Sequence, residues 1–307
     1  MTDIVYIAGS GRSGSTLLER MLGQMASFVT IGELRHLWRG NYNVDLCGCG
    51  QPFAACPFWQ PILAELFAGK ETVDFKAMLA LRNRVDRMRY LPYILSSRYP
   101  ASYRQHLGQY TAIVCKVYQL ISERCGDALI VDSSKDISTL YMLAKAPGIK
   151  VHVVHMVRDS RAVAFSRQRK RVNPQFVEKV EYLAVYTPRY AAWDWLYRNT
   201  LVECGKPLYD SYQLVRYEDL VEAPAATVAK LCAALGVASP DLGFIRDTHI
   251  DVSHPAHTVS GNPMRFHAGP LPLKLDAAWT QEMRRNEQWI VTGLTWPLLK
   301  RYGYPLF

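Results

Sequence analysis

Ile4-Val5-Tyr6-Ile7-Ala8 is followed at once by Gly9-Ser10-Gly11-Arg12-Ser13-Gly14-Ser15-Thr16, and then by Leu17-Leu18-Glu19-Arg20-Met21-Leu22. The first run reads as a buried strand and the last as a helix start. A strand, a glycine-rich turn and a helix form the architecture that holds a phosphate. Glycine lets the backbone curl until its N–H groups point inward, and the helix N-terminus adds a favourable dipole.

The spacing is close to the G-x-x-x-x-G-K-[ST] loop that cradles nucleoside triphosphates. Position 15 is Ser, so the lysine that reaches the β- and γ-phosphates is absent, and Arg12 is the cation inside the loop. A forked guanidinium among hydroxyls suits a phosphate-like anion other than ATP.

Three further apolar runs read as parallel strands: Ala128 to Val131, Val151 to Val157 and Tyr212 to Val215. Helical patterns lie at about 16–26, 74–91, 101–124, 137–145, 159–171, 175–204 and 223–235, with another from Asp276 to Trp289. The alternation predicts an α/β, P-loop-like three-layer fold, a central parallel sheet flanked by helices, as a single domain over residues 1–307. Ligands in such sheets sit beyond the carboxyl ends of the strands. Residues 249–275 show no periodicity and read as a long ordered loop, a lid or clamp.

The formal net charge of +9 favours an anionic partner, and 49% hydrophobic residues are ample for a core. No apolar run is long enough for a transmembrane helix and no signal peptide is recognisable. Seven cysteines without a paired framework suggest reduced thiols in a cytoplasm. Arg82, Arg84, Arg87, Arg89, Arg98 and Arg104 read as a solvated helix face. Arg158, Arg161, Arg167, Arg169, Lys170 and Arg171 do not, because a strand delivers Arg158 and Ser166 lies about two helical turns on. Arg158 and Ser166 can grip a second phosphate. Asp159 as a helix cap is the structural explanation of the turn alone.

Together these residues resemble a known family, the sulfotransferases that use 3′-phosphoadenosine 5′-phosphosulfate (PAPS). Gly11-Arg12-Ser13-Gly14-Ser15-Thr16 resembles their 5′-phosphosulfate loop, and Val157-Arg158-Asp159-Ser160-Arg161 to Ser166 their 3′-phosphate element. Arg216-Tyr217-Glu218-Asp219-Leu220 and Gly261-Asn262-Pro263-Met264-Arg265 fit in order and spacing. The likeness is closest to bacterial enzymes related to the tyrosylprotein and carbohydrate sulfotransferases.

The resemblance implies that residues 11–16 hold the 5′ end of PAPS and that Arg158 and Ser166 hold its 3′-phosphate. Lys170, one helical turn past Ser166, would add charge there. Tyr217 would lie near the nucleotide, and the Ser260, Gly261, Asn262 to Arg265 loop would close over it. Glu33, twenty-one residues after Arg12, would be the base that takes the proton of an acceptor hydroxyl. A surface Glu paired with Arg35 or Arg39 is the plain alternative. Lys135 and Arg12 would stabilise the leaving phosphate, with Ser260 as a weaker companion. The acceptor would be a sugar, lipid, phenol or natural product. The chemistry needs no metal.

A kinase-like phosphotransferase, with Asp132 holding magnesium, is the rival enzyme reading, and a basic nucleic-acid-binding protein the non-enzyme one. Cys47, Cys49 and Cys56 could bind metal with His36 as fourth ligand, but C-x-C is not the common zinc spacing, which favours packed or solvent-facing thiols. With Phe53, Phe58 and Trp59 they mark a small flap, about residues 40–60, expected to shape the acceptor site. His254 and His257 are alternative bases, although His249, His254 and His257 read first as ordinary loop residues. Trp193, Trp195 and Tyr197 read as helix core.

Overall fold

In strand β1 (Thr2–Ala8), Ile4, Tyr6 and Ala8 face one core while Val5 and Ile7 face another, and none of the five is exposed. Side chains of a strand alternate, so a strand apolar at every position must be covered on both faces. The computed structural model describes residues 1–40, 42–67, 74–96, 100–170, 172–173, 181–182, 184–254 and 256–306. The strands β2 (Phe28–Gly32), β3 (Leu129–Asp132) and β4 (Ile149–Val157) follow β1. Strands β5 (Val172–Asn173) and β6 (Glu181–Tyr182) make a short antiparallel pair, and β7 (Ser211–Arg216) completes the main sheet.

The five-stranded sheet runs β2-β3-β1-β4-β7, with every neighbour parallel. Strand order therefore reverses around β1, which pairs with β3 on one side and β4 on the other. The crevice that such a reversal opens at the carboxyl ends lies beside Gly9 to Thr16.

The fold class is as the sequence implies, with differences of local cause. β2 was not among the expected strands; its short Phe28-Val29-Thr30-Ile31 run is interrupted by Thr30 and lies at the sheet edge. The 74–91 helix stops at Val85, because Asp86 turns inward to Ser138 and Thr139. The 159–171 helix ends at Gln168, leaving Lys170 beyond it, and Arg171 lies outside the described residues. The 175–204 helix begins at Pro188, capped by Thr187, and residues 175–180 also lie outside. The pattern from Asp276 splits into Trp279–Glu282 and Arg285–Arg301. Within 249–275, strands β8 (His249–Val252) and β9 (Gly269–Pro272) pair antiparallel, so the stretch is a hairpin with a long tip.

Arg84, Arg87, Arg89 and Arg104 are exposed as a solvated face requires, but Arg82 is buried and donates to the Arg35 carbonyl at 2.9 Å. Arg98 lies outside the described residues. Trp195 is fully buried, whereas Trp193 is 58% and Tyr197 42% exposed, so only one of the three is core. Among the described residues all seven cysteines are free, and no helix is long and apolar enough to cross a membrane.

Gly9 sets the exit from β1. Its φ is +125°, and a Cβ there would stand 2.3 Å from the Met156 carbonyl oxygen of the neighbouring strand. Gly9→Ala should therefore destabilise the fold by on the order of 2–4 kcal/mol in urea denaturation, from left-handed strain plus a backbone clash. A loss under about 0.5 kcal/mol would mean that the turn can relax.

Candidate active site

Each of the five sheet strands ends by handing a polar residue to one cleft. Gly9 to Thr16 follow β1, Glu33 follows β2, Ser133 to Asp136 follow β3, Arg158 follows β4 and Tyr217 follows β7. The cleft has a volume of about 670 Å³. Eight Lys and Arg residues line it against three Asp and Glu, so its field favours an anion.

The loop after β1 is built to receive one. The helix Ser15–Leu22 has Gly14, at φ +90°, as its N-cap, with no side-chain cap on its first N–H groups. The helices starting at Ile137, Ser160 and Pro188 are capped by Asp136, Asp159 and Thr187. Uncapped N–H groups at a cleft are free for a ligand oxygen. Gly14 also makes room for Tyr217, whose ring would lie 2.5 Å from a Cβ there.

Gly11, Arg12, Gly14, Ser15 and Thr16 line the cleft. Ser13 does not; it is buried beneath the loop, and its hydroxyl has no hydrogen-bond partner. Arg12 has a left-handed backbone, φ 73°, and its Nε donates to Ser166 Oγ at 3.2 Å. The two anion elements expected at separate ends therefore touch through the Arg12 side chain. Arg158 sits beside them, donating to the Arg12 carbonyl at 3.3 Å and the Asp276 carbonyl at 2.9 Å. It also pairs with the Asp276 carboxylate at 3.3 Å and lies over the Tyr217 ring at 4.4 Å.

Across the cleft, Lys135 Nζ donates to Glu33 Oε1 at 2.7 Å. His36 Nε2 lies 3.4 Å from Glu33 Oε2. Arg35 instead pairs with Asp86 and Asp136, so the alternative surface pairing of Glu33 with Arg35 does not form. Lys135 has φ 58°, and Arg12, Lys135 and Ser239 are the non-glycine residues with positive φ among those described. Two of these three lie in the cleft, where strain commonly marks function.

Ser260, Gly261 and Asn262 line the rim. Arg265 does not reach it. It is buried and donates to the Thr258 and Leu46 carbonyls, so it holds the rim segment from behind. Lys170 is exposed, with its Nζ 3.9 Å from the Tyr182 ring centroid, and does not line the cleft because the helix carrying Ser166 ends first. Asp132 accepts from Ser134 N and the Tyr118 hydroxyl inside the sheet and does not line the cleft, which removes the magnesium ligand of the kinase-like reading. His254 is exposed outside the cleft. The flap residues 40–60 do not line it either.

Residues 4–241 match the profile of the sulfotransferase family. The chain belongs to that family. It is therefore an enzyme with sulfotransferase activity. The structure is similar to a sulfotransferase domain from the Synechococcus PCC 7002 olefin synthase, with a TM-score of 0.57 and 21% identity, covering 99% of this chain and 95% of that one. A sulfotransferase domain from the curacin biosynthetic pathway is similar too, with a TM-score of 0.52 and 19% identity, covering 100% of this chain and 99% of that one. At such identities the likeness is one of fold. No curated protein sequence matches the chain.

Arg198 and Asp276 line the cleft of this sulfotransferase and were not among the residues that the sequence pointed to. Arg198 donates to the Lys135 carbonyl at 3.3 Å and to Asp194 at 2.8 Å, and Arg167 meets Asp194 at 3.1 Å. The Asp194–Arg198 spacing of four on one helix was a readable signal. Asp276 gave none, since its partner Arg158 is 118 residues away.

Glu19 is the most consequential omission. It is 2% exposed, accepts from Gly32 N at 2.7 Å and from Ser133 Oγ at 2.8 Å, and so ties together the ends of β2 and β3. Burial pushes its pKa from 4.5 to about 7, against the pull of Ser133, Lys135 and the Gly32 amide. A carboxyl raised in the folded state stabilises fully below pH 4.5, and that contribution is lost as pH rises through about 7. Relative to Glu19→Gln, wild type should therefore lose on the order of 3 kcal/mol as pH rises across that window. A constant difference in chemical denaturation would show that Glu19 does not titrate there.

Proposed function

We propose that this sulfotransferase transfers a sulfuryl group from PAPS to the hydroxyl of an acceptor, a sugar, lipid, phenol or natural product, releasing adenosine 3′,5′-bisphosphate. We take residues 1–307 as one catalytic domain, and the free thiols as fitting a cytoplasmic location. One observation carries the reading: the Glu33–Lys135 pair stands on the same cleft as an uncapped phosphate loop and the Arg12–Ser166–Arg158 cluster. PAPS has two separated anionic groups, and the cleft offers cations and amides for both.

In this reading Glu33 accepts the acceptor's proton. The acceptor oxygen bonds to sulfur while the bond from sulfur to the bridging phosphate oxygen breaks. Lys135 and Arg12 balance the charge that gathers on that oxygen, and the amides of residues 11–16 hold the 5′-phosphate. Arg158 and Ser166 take the 3′-phosphate, Tyr217 packs near the nucleotide, and Ser260, Gly261 and Asn262 cover it.

Burial is the largest influence on Glu33 and raises its pKa, but Lys135 and smaller neighbours outweigh it, leaving the carboxyl below the ordinary 4.5. The base is thus ionised at neutral pH. Its strength rises when Lys135 turns from it toward the leaving oxygen. Burial lowers His36 to about 4, so its ring is neutral at pH 7.

Adenosine 3′,5′-bisphosphate should raise the melting temperature more than AMP, and Arg158→Ala should erase the difference. Equal shifts on wild type would refute the 3′-phosphate assignment. Glu33→Gln should lower kcat by about 10²–10⁴ while leaving bisphosphate affinity within about threefold. Glu33 itself should contribute no acid limb to wild-type kcat/KM near neutral pH, since its pKa is held below the ordinary 4.5, and any limb near pH 7 should disappear in Glu19→Gln. Full turnover by Glu33→Gln would move the base elsewhere.

A further inference from the structure

Behind the rim of the cleft the chain gathers a second set of reactive side chains. Cys47, Cys49 and Cys56 come from the flap, and His257 from the segment leading to Ser260. Their ligand atoms all lie within 4.8 Å of one another. Cys56 Sγ is 3.6 Å from Cys47 Sγ, 3.8 Å from Cys49 Sγ and 3.3 Å from His257 Nδ1. Cys47 Sγ is 3.9 Å from the same nitrogen. A tetrahedral zinc ion with bonds of about 2.3 Å to sulfur and about 2.0–2.1 Å to nitrogen spaces its ligands about 3.8 Å (S to S) and about 3.6 Å (S to N) apart. Those four edges agree with these values to within about 0.4 Å, and the other two, Cys47 to Cys49 and Cys49 to His257, lie within 4.8 Å. A disulfide would need a separation of about 2.05 Å and would leave one thiol over.

We propose that Cys47, Cys49, Cys56 and His257 bind one zinc ion in a closed structural site. Four protein ligands and no open position are the mark of such a site. His257, not His36, completes the set; no reading of spacing could find it, 201 residues from Cys56.

The surroundings hold the ligands in place. Phe58 stacks on the His257 ring at 5.0 Å and 7°, and Trp59 Nε1 donates to the His257 carbonyl at 2.7 Å. The backbone N–H groups of Cys49, Gln51, Phe58 and Trp59 are directed at the three sulfurs. Such N–H groups satisfy and orient metal-bound thiolates. At Gly50, φ +83°, the chain turns tightly back, with Gly50 N donating to the Cys47 carbonyl at 2.9 Å.

The ion would join two distant segments at the back of the catalytic edge. Gly48 N donates to the Thr258 carbonyl, Val259 N to that of Ile31, and Glu33 N to that of Ser260, at 2.9, 2.8 and 3.3 Å. From metal to base the path is thus His257, three residues of rim, and Glu33. A clip closing a loop of this length removes much unfolded-state freedom.

Elemental analysis of the full chain, purified under reducing conditions without added metal, should find one zinc per chain. Replacement by Co²⁺ should give the visible absorption of tetrahedral cobalt–thiolate coordination. Cys56→Ser should lower metal content to under about 0.2 per chain, while Cys115→Ser, outside the cluster, should not. Should Cys56→Ser fail to fold, His257→Cys keeps four ligands and should retain cobalt with stronger sulfur-to-metal charge transfer. Unchanged charge transfer in His257→Cys would remove His257 from the site. Folded wild type that takes up neither zinc nor cobalt would overturn the proposal, as would a Cys47–Cys56 disulfide in its place. These readouts do not involve turnover and stand apart from the donor assigned above.

Discussion

The buried Glu19 carboxylate is the joint on which the cleft depends. It sits inside the helix Ser15–Leu22, all of whose residues are buried, and reaches the amide of Gly32 and the hydroxyl of Ser133. Those two residues immediately precede or nearly precede Glu33 and Lys135. Ser133 N in turn donates to the Gly32 carbonyl at 2.9 Å, and Lys135 Nζ donates to the Ser133 carbonyl. A single acceptor thus fixes the phosphate loop's helix against both strands that deliver the ion pair across the cleft. Removing an acceptor from buried donors costs more than the hydrogen bonds return, so the three elements move together or not at all.

The sheet was legible because its central strands carry short, mostly apolar runs. Continuous β-branched runs at β1, β3 and β4 carry their meaning locally, and the parallel alternation with helices fixes which edge the ligand meets. Lys135, Arg158 and Ser166 could be placed for the same reason, each lying just past a legible strand or along the next helix, whereas Glu33 was placed only by the family resemblance, because the strand before it was not legible. Local sequence could not give the edge strand β2, whose pairing is set by β3 rather than by its own pattern. Nor could it place Arg265 or Lys170. A motif says that an arginine is near a loop, but only packing decides whether its fork faces the ligand or the backbone behind it. For Arg265 the Thr258 and Leu46 carbonyls decided.

The cysteine flap shows the same limit from the other side. Three thiols within ten residues are a local signal, yet their meaning depends on a histidine brought by the rim segment. The flap was expected to shape the acceptor site directly. Its described residues do not line the cleft, and Gly48 N bonds to the Thr258 carbonyl of the rim segment, which in turn meets Glu33 N through the Ser260 carbonyl.

A cleft lined with eight cations is unstable to their mutual repulsion unless each finds a partner. Here the partners are internal. For seven of the eight these are Glu33 for Lys135, Asp276 for Arg158, Asp194 for Arg167 and Arg198, Asp86 and Asp136 for Arg35, Glu282 for Arg169 and the Ser166 hydroxyl for Arg12. A bound anion therefore replaces partners rather than meeting bare charge, and its affinity is the difference between two satisfied arrangements. On the reading proposed above, the Arg158–Asp276 contact is the one that a 3′-phosphate would exchange. On the same reading, Lys135 turning from Glu33 toward the leaving oxygen would make the carboxylate a stronger base.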